Sequence, residues 1–117
     1  MTTIERKHVG IRMSKIVRHG DTVYLCGQTA SGAGIADIAG QTAEVLARIE
    51  ALLAEAGTDR SRLLAATIHL KDIGDFAAMN AVWETWVPPG CAPARTTVEA
   101  GLAAPELRVE ITAVAAA

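Results

Sequence analysis

Asp37-Ile-Ala-Gly-Gln-Thr-Ala-Glu-Val-Leu-Ala-Arg-Ile-Glu-Ala-Leu-Leu-Ala-Glu-Ala-Gly57, with Ala65-Ala-Thr-Ile-His-Leu70 shortly after it, carries the two periodicities that decide the fold. In the first stretch Val45, Leu46, Ile49, Leu52 and Leu53 recur at three- and four-residue steps, while Glu44, Arg48 and Glu55 lie off that stripe. The pattern predicts an amphipathic helix, capped by Asp37 at its start and closed by Gly57. The second stretch is short, apolar and too brief for a helix, and it reads as a strand.

Working outward, Thr22-Val-Tyr-Leu-Cys-Gly-Gln-Thr29 is rich in β-branched and aromatic residues and follows the turn residues His19-Gly20-Asp21. Residues 16–19 and 22–28 are therefore expected to form a hairpin. A second helix begins near Asp75 and runs through Phe76, Met79, Val82, Trp83 and Trp86 until Pro88-Pro-Gly90 stops it. Residues 95–99 and 108–114 are two further strands. The predicted order is β-β-α-β-α-β-β: an α+β fold, one domain over residues 1–117, with a mixed sheet and both helices on one face.

The chain has 117 residues, half of them apolar and 21% charged, with a net charge of −2. Such a balance excludes a disordered chain and argues against a nucleic-acid partner, which would favour a basic excess. No apolar run is long enough to cross a bilayer, so no membrane partner is expected. The stretch from Met1 to His8 has no apolar core of a secretion signal, which makes a cytoplasmic setting the expectation. Cys26 and Cys91 do not form a close pair, and His8, His19 and His69 are scattered, so no metal site is expected. Ser31-Gly-Ala-Gly34 reads as a flexible connection rather than a phosphate cradle.

Strand alternation places Arg95, Thr97 and Glu99 on one side of their strand. In the last strand Val109, Ile111 and Ala113 form the apolar side and leave Arg108, Glu110 and Thr112 together. With the apolar side under the helices, the opposite face is expected to present arginine and glutamate among small residues. That face is either solvated surface or a mating surface.

Ala92-Pro-Ala-Arg-Thr-Thr-Val98, followed by Pro105 and Val109-Glu-Ile111, resembles the C-terminal signature of the Rid (YjgF-type, reactive intermediate deaminase) family. Thr22-Val-Tyr-Leu-Cys-Gly-Gln28 resembles that family's early strand, and Asp75-Phe-Ala-Ala-Met-Asn80 its helix start. The resemblance implies a chorismate-mutase-like fold and a homotrimer with sites in the clefts between subunits. It also implies cofactor-independent hydrolysis of enamines and imines, such as 2-aminoacrylate and 2-iminopropanoate, to 2-keto acids and ammonia.

The residues suit that chemistry. An imine of a 2-keto acid carries a carboxylate beside its electrophilic carbon, and a guanidinium fork matches a carboxylate with two parallel hydrogen bonds. The resemblance makes Arg95 that clamp and Glu110 the catalytic carboxylate that orients water. It places Asn80, Gly27 and the surroundings of Thr97 around the substrate. Met13, Cys26 and Thr97 stand where many members have tyrosine, serine and cysteine, which makes the pocket wall more apolar. Taken singly, Arg95 and Glu110 also read as ordinary strand charges, Asn80 as a helix-start tie, and Cys26 as a small buried group. Two other functions compete: a 2-keto acid binding or sensing module of the same fold, and a ribonuclease or translation inhibitor. The acidic balance, scarce aromatics and lack of a histidine pair oppose the latter.

Overall fold

The structure, a computed structural model, describes residues 3–117. Met1 and Thr2 of the N-terminal stretch lie outside the described residues. Six strands form one mixed sheet: β1 (Ile4–Val9), β2 (Ser14–His19), β3 (Thr22–Leu25), β4 (Leu63–Leu70), β5 (Ala94–Glu99) and β6 (Val109–Ala116). Two helices, α1 (Ile38–Glu55) and α2 (Phe76–Trp86), accompany them. The spatial order is β1-β2-β3-β6-β4-β5, with only β4 and β5 parallel. β6 thus inserts between β3 and β4, while α1 and α2 provide the long connections that strands running in the same direction require.

β1 is an addition to the predicted order. Its sequence, Ile-Glu-Arg-Lys-His-Val, has no apolar face, and all six residues are exposed. The strand exists by pairing with β2 rather than by burial, and its charges suit an open sheet edge. The β2–β3 hairpin forms as read, with His19 opposite Thr22 and Gly20 at φ 62°, the positive angle a two-residue turn needs. β3 ends at Leu25, three residues short of the expected strand, although Gln28 still bridges Ile111 beyond it.

The α1 reading holds: Asp37 accepts from Gly40 N through its side chain, and Val45, Leu46, Ile49 and Leu53 are buried. They pack on Ala66, Ile68 and Leu70 of β4 and on Val109, Ile111 and Ala113 of β6 in one core. Both helices therefore lie over one face. On the other face Tyr24, Leu64 and Val98 are exposed apolar side chains with nothing above them in the single chain.

Candidate active site

The ladders assign each predicted residue to a face. Along β4, Ala66, Ile68 and Leu70 are buried beneath the helices, so Ala65, Thr67 and His69 point to the uncovered side. Arg95 is opposite Ala66 and Thr97 opposite Ile68, which puts both on the helix side. Glu110 is opposite His69, on the uncovered side. The expected common face for arginine and glutamate is therefore corrected. β5 lies at the sheet edge, where α2 leaves room for polar side chains beneath it.

Arg95 is held from three directions. Its Nη1 donates to Asn80 Oδ1 at 2.8 Å. Its guanidinium carbon lies 5.4 Å from the centre of the Trp83 ring and 5.8 Å from that of Phe76. Phe76, Asn80 and Trp83 follow at steps of four and three, so one stripe of α2 supplies all three contacts. Stacking on aromatic faces fixes the plane of the cation, and the single bond to Asn80 leaves other N–H donors available. Thr97 Oγ1, two residues along β5, is buried without a hydrogen-bond partner.

Asn80, which the sequence leaves open between a helix tie and a pocket residue, accepts from Arg95. In the sequence, Phe76 and Trp83 stand only as apolar positions of the second helix. Their spacing from Asn80 was the signal that they share its face.

Glu110 belongs to a second group. Gly27 follows β3 by two residues, and the Gln28–Ile111 bridge ties this segment to β6 through N–H···O bonds of 2.9 and 3.1 Å. A Cβ on Gly27 would overlap Glu110 Oε2, so the absent side chain makes room for the carboxylate. Cys26 is half-buried, and its Sγ accepts from Gln28 Nε2 at 3.2 Å. Cys26 N also donates to Lys15 O at 3.0 Å, two residues past Met13. Met13 itself is 55% exposed in the β1–β2 turn, so in one chain it walls no pocket.

The predicted residues thus form two groups: Arg95 and Thr97 on the helix side of β5 with Asn80 of α2, and Glu110, Gly27 and Cys26 on or near the uncovered face. A cavity of about 810 Å³ opens elsewhere, lined by Gln41, Lys71, Asp72, Asp75 and Arg108 among others, and touches neither group. Among the described residues no cluster of three or more metal-binding side chains occurs, and no helix is long and apolar enough to cross a membrane.

A family model described as Endoribonuclease L-PSP matches residues 6–117. The RutC family protein YoaB of Escherichia coli strain K12 is 46% identical over 114 residues, covering 97% of this chain and 98% of that one. The chain belongs to the Rid/YjgF family. The crystal structure of NMB1025, a YjgF-family member from Neisseria meningitidis, is 43% identical with a TM-score of 0.93, covering 97% of this chain and 94% of the other. The Rid-family protein YyfA from Yersinia pestis is 27% identical with a TM-score of 0.85, covering 93% and 90%. The Rid/YjgF fold is the chorismate-mutase-like α+β arrangement.

Proposed function

We propose that the chain hydrolyses reactive enamines and imines of the 2-aminoacrylate and 2-iminopropanoate type to 2-keto acids and ammonia, without a cofactor. The carrying observation is the Arg95 mount: a guanidinium stacked on Trp83 and Phe76, held by Asn80, with donors left over. A small carboxylate-bearing substrate matches those donors. Glu110 then takes a proton from the attacking water and passes one to the departing nitrogen. The sum is iminium plus water giving ketone plus ammonium, so the carboxylate returns to its starting state.

Because the two groups lie on opposite faces, a complete site joins Arg95 of one copy to Glu110 of another. A homotrimer repeats that junction three times and covers the apolar side chains Tyr24, Leu64 and Val98. The free thiols of Cys26 and Cys91 fit a reducing, cytoplasmic setting. The test is keto-acid release from iminopropanoate generated in the assay: wild type accelerates it and Arg95→Ala does not. A wild-type rate equal to the uncatalysed one overturns the proposal.

A second reading, keto-acid binding without turnover, is favoured by one feature. Among the described residues no side chain donates a hydrogen bond to Glu110, so one chain alone does not orient its carboxylate. Tight keto-acid binding with no acceleration would establish that reading. Ribonuclease activity, suggested by the description of the family model, has little support in a chain of net charge −2 with four aromatic side chains.

A further inference from the structure

His69 is the residue nearest in register to Glu110 that the foregoing chemistry leaves unused. The two stand directly across the β4–β6 ladder on the uncovered face. Cross-strand partners have Cβ atoms about 4.5–5.5 Å apart. They are not hydrogen-bonded to each other, since Glu110 extends over Gly27 instead. The imidazole is constrained in a telling way. Its Nδ1 is enclosed with no partner, and among the described residues Nε2 makes no hydrogen bond. Any hydrogen bond from this ring to a mobile group must therefore pass through Nε2.

On β5, the other neighbour of β4, the partner of His69 is Val98, which offers no polar atom in its side chain. Lys71, two residues on, has its amine donating to Pro105 O at 2.6 Å, and Arg108 is engaged by both oxygens of Asp75 at 2.9 Å. Glu110 is the acidic side chain that the two ladders place directly beside His69. A water between an imidazole nitrogen and a carboxylate can donate to the carboxylate and exchange its other bond with the ring.

We infer that His69 is a further catalytic residue: its Nε2 holds, together with the Glu110 carboxylate, the water molecule that attacks the imine carbon. The inference rests on the deaminase reading and supplies the orienting partner that Glu110 lacks. Attack forms the C–O bond, the proton goes from water to Glu110, and His69 keeps its proton count throughout. Phenylalanine at this position would preserve the ring's bulk and abolish the water contact. Glutamine would restore a side-chain donor at about the reach of Nε2.

Two measurements test it. In imine hydrolysis, His69→Phe is expected to lower kcat roughly 100- to 1,000-fold, the usual share of one well-placed polar contact to a reacting group, with KM within about threefold. His69→Gln is expected to recover most of that loss. An unchanged kcat in His69→Phe, or an equal loss in both variants, overturns the inference. The second measurement does not depend on activity: a crystal structure of the wild-type protein should show a water within about 2.7–3.2 Å of both Nε2 and a Glu110 oxygen. If the enzyme proves inactive while that water is present, the deaminase reading fails and the paired water site stands. If the gap is dry or filled by a side chain of another copy, the inference fails whatever the activity.

Discussion

Arg95 and Glu110 stand two strands apart in one sheet and point to opposite faces of it, Arg95 beside Ala66 under the helices and Glu110 beside His69 on the uncovered side. No side-chain rotation brings a substrate between them within one chain, because the sheet itself intervenes. Under the proposed function, their joint action on one substrate takes two copies.

Mixing two inactive variants checks this requirement. Arg95→Ala supplies intact Glu110, and Glu110→Gln supplies intact Arg95. In trimers reassembled from equal amounts, about one quarter of the clefts pair an intact arginine with an intact glutamate, so roughly a quarter of wild-type activity should return. No recovery, with mixed trimers verified by mass spectrometry, would place both groups in a cleft made by one chain.

The Arg95–Asn80 bond makes a prediction with an unusual order. Losing a charge-assisted hydrogen bond costs about 1.5–3 kcal/mol, so Arg95→Lys, which cannot make the bidentate fork, should lower kcat/KM roughly 10- to 150-fold. Asn80→Ala frees one donor and loosens the guanidinium, raising KM modestly. Asn80→Asp should be worse than Asn80→Ala, because a carboxylate at 2.8 Å competes with the substrate's carboxylate for the same cation. Steady-state kinetics across the three variants gives the ranking directly.

The parts of this fold legible in the sequence are those with a buried face. α1 and β4 announced themselves through Val45, Ile49, Leu53 and Ile68 because burial demands a periodic apolar pattern. β1 could not be read, since its residues are exposed and it is held by backbone pairing with β2 and by Lys7 and His8 reaching Glu55 at the end of α1. The facing of β5 was misread for a related reason. Ala94, Thr96 and Val98 look like the inward side, yet all three are exposed, while Arg95 and Thr97 are half-buried under α2. Alternation tells which residues share a side; the ladder with β4 tells which side that is. Arg95 and Glu110 were both visible as residues, and their separation was visible only in the register.

Gln41 yields a stability prediction. This buried amide donates to Ile35 O at 2.9 Å and Glu106 O at 2.8 Å and accepts from Arg108 N at 2.8 Å, tying α1 to two loops. Gln41→Ala strands three backbone groups, and a buried unsatisfied group costs about 1–3 kcal/mol. Partial rehydration through the cavity beside it lowers the sum to about 2–4 kcal/mol. At roughly 3–6 °C per kcal/mol for a chain of this size, thermal unfolding should shift down by about 6–24 °C. A shift under about 2 °C would mean that water replaces the amide completely.

Gly27 and Glu110 should be coupled energetically, and the coupling is separable from activity. A methyl at Gly27 overlaps the Glu110 carboxylate, so Gly27→Ala must push that side chain aside or strain the segment joined to Ile111. Overpacking of this kind costs about 1–3 kcal/mol. Glu110→Ala alone removes a half-buried side chain with no partner on it and should change stability by less than about 0.5 kcal/mol. In the double variant the methyl enters the space the carboxylate vacated, and most of the loss should be recovered, giving an interaction energy of about 1–2 kcal/mol in a double-mutant cycle. Both Gly27→Ala and the double variant should lack imine hydrolysis, the first through a displaced carboxylate and the second through its removal. Strictly additive stability changes would show that Glu110 does not occupy the space over Gly27, and the water site assigned between Glu110 and His69 would then need a different wall.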